Sequence, residues 1–272
     1  MDSLVDAAPG AADNAGAMTV SPPLLRVRDI RKSFGSARVL DGVSFDVAAR
    51  EITGLIGPNG AGKTTLFNLI AGVDAPDGGT ILLRDRPIAG LSPPARVALG
   101  ISRTFQEIRL FPSLTALENI MVGCRGEGAE GMATTIFRWR RTAAHERRIR
   151  ARAEELLALV GLPAFADRLP DELSYGQQKR VGIARALATG QDLLCLDEPA
   201  AGLDPEAARD LVHLIRHLAA TVGTILLIEH NLELVRDVCA RVVFLDAGRV
   251  VVDGPPAQVM TDERVWRAFM GA

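Results

Sequence analysis

The spacing of hydrophobic residues changes along this chain, and each spacing predicts a different kind of element. In residues 24–47 apolar and polar side chains alternate, which predicts antiparallel strands with one face in water. Residues 192–198 (DLLCLDE) and 224–230 (TILLIEH) are short and almost wholly apolar, which is typical of parallel strands covered on both faces. A helical pattern follows each of them. The chain is therefore predicted to be an α/β protein with a parallel core sheet and an N-terminal antiparallel β-subdomain.

The middle of the chain loses the strand pattern. Segments such as TALENIMVG (115–123) and HERRIRARAEELLALVGL (145–162) have helical spacing instead. We therefore expect an α-helical subdomain inserted at about residues 105–187 within a single domain that covers residues 23–272. Residues 1–22 are rich in alanine, glycine and aspartate, and we expect them to form a disordered N-terminal tail.

Composition and charge narrow the possible classes of function. The 272 residues are 48% apolar and 24% charged with a net charge of −2, which fits an ordinary globular protein and gives no case for nucleic-acid binding. No run of about 18 apolar residues occurs, so no segment is predicted to span a bilayer. Cys124, Cys195 and Cys239 are odd in number and never in CxxC spacing, which favours reduced thiols in a cytosolic protein.

A glycine-rich segment follows a third apolar strand pattern, EITGLIG at residues 51–57. Residues 57–65 read GPNGAGKTT and contain the pattern GxxxxGK[ST] between a predicted strand and a predicted helix. In such a turn backbone N–H groups point at one phosphate chain, and the positive end of the following helix adds to the attraction. This context favours a nucleotide phosphate site over a simple glycine-rich turn with a surface lysine. The predicted contacts are Gly57, Pro58, Asn59, Gly60, Ala61, Gly62, Lys63, Thr64 and Thr65.

Four side chains complete the predicted phosphate chemistry. Lys63 would reach the β- and γ-phosphates, and Thr64 would offer its hydroxyl to Mg²⁺. Asp197 and Glu198 end a buried strand, at the edge of the sheet where ligands gather in α/β proteins. We expect Asp197 to hold Mg²⁺ through water and Glu198 to polarise an attacking water as a base. The simpler alternative is that both acids merely cap a loop.

A second segment, LSYGQQKR at residues 173–180, also has the character of an anion site. Ser174 and Gln177 form a capping box that predicts the start of a helix. Gly176 lies in the first turn, where glycine weakens a helix by up to about 1 kcal/mol relative to alanine. A glycine there lets a ligand approach the free N–H groups closely. The segment is therefore predicted to bind phosphate as well.

The motifs GPNGAGKTT, LSYGQQKR, LLCLDEPAAGLD and LLIEHN occur in this order. From about Leu24 to its C-terminus the chain resembles the ATP-binding subunit of an ABC transporter, which implies the P-loop NTPase fold of an ABC ATPase domain with ATP and Mg²⁺ as cofactors. In that family two such subunits pair head to tail. The resemblance therefore implies that Ser174, Gly176 and Gln177 contact the ATP held by a partner subunit.

The resemblance implies roles for four further residues. Gln106 is similar to the glutamine that senses Mg²⁺ and the attacking water and that faces the membrane subunit. Asp204 would lie at the dimer seam, although it also fits as a helix N-cap before Pro205. His230 resembles the switch histidine that contacts the γ-phosphate. Phe34 would stack on adenine, or alternatively belong to the core.

One departure from the family signature points to a branch of the family. Tyr175 stands where the common signature has glycine, and EHN and the closing RVWRAFMGA complete a pattern that resembles branched-chain amino acid uptake systems. Urea and amide uptake systems look similar. Lipid export and an ABC ATPase outside transport are the alternatives.

The resemblance implies an ATP-hydrolysing motor subunit of an importer, located peripherally at the cytoplasmic face of the inner or plasma membrane. Its implied partners are transmembrane permease subunits, a second ABC ATPase subunit (itself or a paralogue) and an external substrate-binding protein. The branch commonly pairs two different ATPase chains, so we favour a heterodimer. The segment after Gln106, with Leu110, Phe111 and Leu114, is expected to form the groove that grips the membrane subunits.

Three other features have simpler interpretations. The arginine-rich residues 138–152 could touch anionic lipid, but a solvated helix face partly paired with glutamates is favoured. His213 and His217 have the i,i+4 spacing of metal ligands but no adjacent acid or third ligand, so we expect no zinc site. The closing VWRAFM (residues 265–270) predicts an apolar helical stripe of Val265, Trp266, Phe269 and Met270 packed on its own domain.

Overall fold

The computed structural model describes residues 23–104, 108–124 and 139–270, and its strands form two sheets. The strands of the antiparallel sheet are β1 (Pro23–Phe34), β2 (Ala37–Ala48), β4 (Gly78–Leu83) and β5 (Arg86–Pro87), in the order β2-β1-β4-β5. The strands of the second sheet are β3 (Ile52–Ile56), β6 (Ile101–Arg103), β7 (Leu193–Asp197), β8 (Thr224–Ile228), β9 (Arg241–Asp246) and β10 (Arg249–Gly254), in the order β10-β9-β3-β8-β7-β6. All neighbours in the second sheet are parallel except β9 and β10, which form the C-terminal hairpin. Both kinds of sheet are as the two hydrophobic spacings predict.

Helices connect the strands of the parallel sheet. Their bounds are α1 (Lys63–Ala71), α2 (Pro93–Ala98), α3 (Ala116–Gly123), α4 (Trp139–Leu159), α5 (Tyr175–Leu187), α6 (Pro205–Val222), α7 (Leu232–Val238), α8 (Pro256–Thr261) and α9 (Glu263–Met270). The described residues between 104 and 187 contain α3, α4, α5 and short 3-10 turns but no strand. Among the helices in the described ranges none is long and apolar enough to cross a membrane. The predicted tail, residues 1–22, lies outside the described residues.

The parallel sheet is buried on both faces. Alternate residues of β8 point into different cores: Leu226 and Ile228 join the cluster shared with the antiparallel sheet, whereas Ile225 and Leu227 join the larger cluster shared with the helices. This arrangement explains why the strand is apolar at every position rather than at every second one. Cys195 in β7 is 1% exposed, and burial raises the pKa of its thiol to about 12, which agrees with a core role.

A buried arginine fixes the end of helix α1. The Arg96 guanidinium donates to the backbone carbonyls of Leu69, Ile70 and Leu91. The carbonyls of Leu69 and Ile70 belong to the last turn of α1, where a helix does not supply the usual N–H donors four residues further on. Helix α1 begins at Lys63, within the glycine-rich loop of residues 57–65, which we call the cradle. Arg96 therefore helps to hold the helix that extends from the cradle.

The C-terminal helix only partly follows the predicted stripe. Val265 is buried, and the Phe269 ring lies 5.7 Å from the Phe244 ring, so this face packs on its own domain as predicted. Trp266 is 54% exposed, and its indole N–H donates to the carbonyl of Met260. Its place in the stripe was therefore wrong, because the residue adjacent to Val265 in a helix points about 100° away from it. The side chain of Met270 is outside the described part of the chain.

Candidate functional site

The order of strands brings distant segments to one edge of the parallel sheet. Strand β8 lies between β3 and β7 and is parallel to both. The carboxyl ends of these strands therefore meet at the same edge, where ligands bind in α/β sheets. The glycine-rich segment follows β3, Asp197 and Glu198 lie at the end of β7, and His230 follows β8. The structure thus assembles the first group of predicted site residues.

The glycine-rich segment is shaped by close approach of the backbone. A Cβ atom on Gly57 would lie 2.0 Å from the carbonyl oxygen of Leu245, and one on Gly62 would lie 2.6 Å from Leu40 Cδ2. Larger residues at either position would displace the loop. Gly62 is also the N-cap of α1, with no side-chain hydrogen bond to the cap and no acidic residue in the first turn. The start of α1 therefore remains available to an anion.

Lys63 lies inside this loop as a buried cation. It is 6% exposed, and its Nζ donates to the carbonyl oxygens of Gly57 and Pro58 at 2.8 and 2.9 Å. Burial lowers the pKa of the ammonium group, and the negative charges of Glu198 and Asp197 oppose that shift. Lys63 thus places a buried positive charge in the loop, where it can attract a phosphate chain.

The remaining cradle residues differ in exposure. Asn59, Gly60 and Thr64 are exposed at the mouth of the loop, Pro58 and Thr65 are half-buried, and Ala61 is buried in the core. Exposure of Thr64 leaves its hydroxyl accessible to a ligand that binds in the cradle.

Asp197 is held by an arginine that the sequence interpretation did not identify. Asp197 is 3% exposed, and its carboxylate accepts a hydrogen bond of 2.7 Å from Arg103. The same guanidinium donates to the side chain of Asn68 in α1 at 2.6 Å. Arg103 comes at the end of β6, which neighbours β7, and no local pattern marks it. It connects the helix of the cradle to the strand end of Asp197.

Glu198 is held through both its backbone and its side chain. Its backbone is left-handed with φ 45°, a conformation that costs a non-glycine residue about 1 to 3 kcal/mol. Its N–H donates to the Ile228 carbonyl at 3.0 Å, and its own carbonyl accepts from Lys179 at 3.1 Å. Its carboxylate Oε1 lies 2.6 Å from Nε2 of His230. The predicted base and the predicted switch histidine are therefore in direct contact.

Glu229 is a second residue that sequence reasoning missed. It is 3% exposed, and burial raises the pKa of its carboxyl group against the effect of backbone hydrogen bonds. It accepts from the N–H of Ala200 at 2.8 Å and from the N–H of His230 at 3.2 Å. The carboxyl group therefore joins the loop after Glu198 to the loop that carries His230. The signal was present in the sequence, because an acidic residue directly after an all-apolar strand must find partners at the strand end.

The segment at residues 173–180 forms the start of α5 as predicted. The Ser174 hydroxyl accepts from the N–H of Gln177, and the Gln177 side chain accepts from the N–H of Ser174. A Cβ atom on Gly176 would lie 3.5 Å from Ala207 and 3.6 Å from Leu203, which is ordinary contact. The fold of this chain alone does not require glycine there. Glycine at position 176 is consistent with the close approach of a ligand or of another chain.

Asp204 lies beside that helix start. It is the N-cap of α6, and its carboxylate accepts from the N–H groups of Ala207 and Glu206, which lower its pKa. Asp204 shares a cavity of about 310 Å³ with Ser174, Gly176 and Gln177. No residue of the 57–65 loop is among those that line this cavity in the described part of the chain. The second surface predicted to bind phosphate is thus separate from the loop of residues 57–65.

Phe34 and Gln106 are the two remaining predicted site residues. Phe34 is 50% exposed, and Lys32 Nζ lies 5.2 Å from its ring centroid. Its alternative assignment to the core is therefore wrong, and its ring is free to stack on a planar group. Gln106 lies outside the described residues.

The donor set at the sheet edge fits Mg²⁺ held jointly with a nucleotide. Thr64 offers a hydroxyl and Asp197 a carboxylate, and no group of three or more His, Cys, Asp or Glu side chains is placed to hold a metal within the described ranges. Mg²⁺ commonly takes one or two protein ligands and completes its shell with water and phosphate oxygens.

The sheet, the glycine-rich loop and the strand-end carboxylates define a P-loop nucleotide-binding protein. Residues 40–201 match the family model described as ABC transporter. The chain is 38% identical over 253 residues to the high-affinity branched-chain amino acid transport ATP-binding protein LivG of Escherichia coli (strain K12), a match that covers 93% of this chain and 99% of that protein. The chain belongs to the ABC transporter family, as the order of its motifs predicts, and it is an ABC ATPase.

Two solved structures resemble the whole fold. A nucleotide-free ATP-binding cassette from an ABC transporter gives a TM-score of 0.81 with 32% identity and covers 92% of this chain and 100% of that one. A bacterial ABC transporter cassette in a dimeric structure gives a TM-score of 0.71 with 26% identity and covers 85% of this chain and 98% of that one. The predicted fold class is confirmed.

The exposed ring of Phe34 generates a prediction about nucleotide affinity. We expect Phe34→Ala to raise the Kd for ATP about tenfold, because stacking of a base on an aromatic ring contributes about 1 to 3 kcal/mol. Fluorescence titration with an ATP analogue measures this. Trp266→Ala removes an aromatic ring of similar exposure and should leave the Kd unchanged. Equal affinity in Phe34→Ala and the parent chain would contradict the stacking role.

Proposed function

We propose that this chain is the ATP-hydrolysing motor subunit of an ABC importer for branched-chain amino acids. The observation that carries the proposal is the division of its phosphate-binding residues into two surfaces. Lys63, Glu198 and His230 meet at the edge of the parallel sheet, whereas Ser174, Gly176 and Asp204 line a separate cavity. A second subunit that brings its own Ser174 surface would complete the site at the cradle.

The dimer follows from this division. We call the surface of Ser174, Gly176, Gln177 and Asp204 the signature surface. In a head-to-tail pair related by a two-fold axis, each contact occurs twice, so the pair has two ATP sites, each with one cradle and one signature surface. ATP then holds the two subunits together. A similar cassette has a dimeric structure, which supports the arrangement. The partner would be a second copy of this chain or a paralogue.

Within each site we assign the chemistry to the sheet edge. The Glu198 carboxylate accepts a proton from the attacking water, and His230, 2.6 Å from Glu198 Oε1, contacts the γ-phosphate. Lys63 and the start of α1 balance the charge of the phosphates. Thr64 and Asp197 would hold Mg²⁺, with Gln106 as a further contact, and the ion would neutralise phosphate charge. Phe34 would stack on adenine.

A groove beside the site provides a surface for permease subunits. Its volume is about 490 Å³, and its lining includes Val97, Ile101, Phe111, Val122 and Arg185. Phe111, one of the three residues predicted to form the groove for membrane subunits, is among its lining residues. Leu110 packs against the larger core instead, and Leu114 is not among the lining residues of the described groove. Through this groove the chain would be held peripherally at the cytoplasmic face of the membrane.

The cargo assignment rests on similarity. The relative LivG is named for branched-chain amino acid transport, and the match extends over 99% of its length. Transport of amino acids from outside would require an external substrate-binding protein in addition to the permeases. We place no role on the arginine-rich helix α4, whose Arg150 and Arg152 pair with Glu154 and Glu155 at 3.1 and 2.9 Å on an exposed face.

The catalytic assignment predicts a large loss of hydrolysis on a small change. Glu198→Gln keeps the size of the side chain but removes the base, so we expect ATP turnover to fall at least about a hundredfold while ATP still binds. Phosphate release measures turnover, and Glu233→Gln, which changes an exposed glutamate of α7, is the control. A rate within the range of the control would show that Glu198 is not the base.

The signature surface predicts a selective loss of dimerisation. Gly176→Asp places a carboxylate where the partner's phosphates would lie, so it should abolish ATP-dependent dimerisation but spare ATP binding by the monomer. Ser92→Asp adds the same charge at the exposed N-cap of α2 and should dimerise normally. Light scattering with and without ATP measures the dimer. Parallel loss of dimerisation and monomer binding would contradict a site completed by the partner.

The transport role is tested with the partners themselves. We would recover tagged Glu198→Gln protein with ATP from detergent-solubilised native membranes and identify the bound proteins by mass spectrometry. The expected partners are permeases with several membrane spans, a second ATPase and an external binding protein. Leucine, isoleucine or valine bound to that external protein would support the cargo. Recovery of soluble partners or nucleic acid alone would contradict transport.

A further inference from the structure

Lys179 is a buried lysine that the proposed chemistry does not use. It lies on α5, the helix that begins with the signature residues, and it is 7% exposed. Its Nζ donates to the backbone carbonyl of Glu198 at 3.1 Å. Burial lowers the pKa of this ammonium group, and the charges of Glu229 and Glu198 oppose the shift. A buried cation is costly unless it is well compensated, so its position needs an explanation.

The surroundings of Lys179 connect it to the same loop. The ammonium lies 5.3 Å from the centroid of the Tyr175 ring, within the range of a cation–π contact. That ring lies against Gly202, since a Cβ atom on Gly202 would be 3.2 Å from Tyr175 Cε1. Tyr175 and Lys179 therefore contact the two ends of the segment from Glu198 to Gly202. The tyrosine that departs from the common family signature belongs to this contact.

The contact joins two ATP sites through one subunit. In the proposed dimer the start of α5 touches the ATP held by the partner, whereas Glu198 acts on the ATP held by its own cradle. Lys179 spans these two elements within one chain. It also fixes the carbonyl of a residue whose left-handed backbone, φ 45°, is unfavourable and needs support from its surroundings.

We propose that Lys179 is a positioning residue that ties the signature helix to Glu198 of the same subunit, so that binding of the partner's ATP helps to set the base of its own site. This inference rests on the proposed head-to-tail dimer. It assigns Lys179 no contact with ATP. Its substitution should therefore lower the rate of hydrolysis without changing the affinity of the monomer for ATP.

The substitution Lys179→Met suits the test, because methionine keeps the length of the side chain and removes its charge and hydrogen bond. The fold should persist, since loss of the donor to the Glu198 carbonyl costs less than the stability of a typical domain. Thermal unfolding and ATP binding by the monomer check this point. Lys179→Arg keeps a positive donor and should recover part of the rate. Arg168→Met removes an exposed ion pair with Glu172 and serves as the control for loss of a cation.

The decisive experiment places the substitution in one subunit of a mixed dimer. Active subunits are used at a concentration too low for them to pair with each other, and a large excess of Glu198→Gln carrier is added. The carrier supplies a signature surface but no base, so all hydrolysis comes from the active subunit. The Lys179→Met change is then placed either in the active subunit or in the carrier.

We expect hydrolysis to fall at least about tenfold when Lys179→Met is in the active subunit, since a displacement of about 1 Å at a reacting group can cost on the order of a hundredfold. In the carrier the same change should leave the rate near that of the unmodified mixture. Equal loss in both placements, or loss in neither, would overturn the role within one subunit. If unmodified carrier fails to raise the rate at all, pairing between two copies of this chain is contradicted, and the inference as drawn for that pair falls with it.

Discussion

The site depends first on the parallel pairing of β3, β8 and β7. The register aligns Ile52 with Ile225 and Leu193 with Thr224, so the three strands end together. The loops that follow them carry the cradle, the two carboxylates and the histidine. Because parallel strands must be joined by crossovers, these loops come from distant parts of the chain. A shift of one residue in any strand would turn every side chain to the opposite face and would separate the site.

Two buried cations then fix the ends of the strands. Arg103 holds the carboxylate of Asp197 from one side, and Lys179 holds the backbone carbonyl of Glu198 from the other. A third cation, Lys63, lies in the cradle, and the charges of Glu198 and Asp197 act on its pKa. The strand end that carries the two acids therefore lies among three cations. The position of the acids is thus set by electrostatics as well as by the strands.

Sequence reasoning predicted the parts of this site that are local. The cradle, the strand ends at Asp197 and His230 and the capping box of Ser174 and Gln177 each follow from a short pattern, and the structure contains all of them. Resemblance added the order of motifs and so the family. The alternative for Phe34 was resolved only by its exposure, because a single aromatic residue at a strand end gives no burial signal.

The residues that sequence reasoning missed act across elements. Arg103, Lys179 and Glu229 each make their decisive contact with a segment many residues away. No local period or motif marks Arg103 or Lys179, since their roles are set by which strands and helices become neighbours. Glu229 does have a local signal, the acid directly after an apolar strand, but that signal does not identify its partners. The prediction for Trp266 was wrong for a related reason. The spacing of apolar residues along a helix does not show how much of the helix surface the rest of the domain covers. The expectations for Gln106 and for the bounds of the helical subdomain remain predictions.

The groove and the sheet edge with the carboxylates share residues, which bears on how the proposed motor would be coupled to permease subunits. Arg103, Lys179, Asp197 and Pro199 all line the groove of about 490 Å³. A protein segment that binds there would therefore touch the back of the strand end that carries the carboxylates. Coupling requires that a partner make different contacts in two states, and here a small displacement of Arg103 or Lys179 would reach Asp197 or Glu198 through one hydrogen bond. A long chain of intermediate residues is not needed, because the same strand end forms one wall of the groove and one wall of the site.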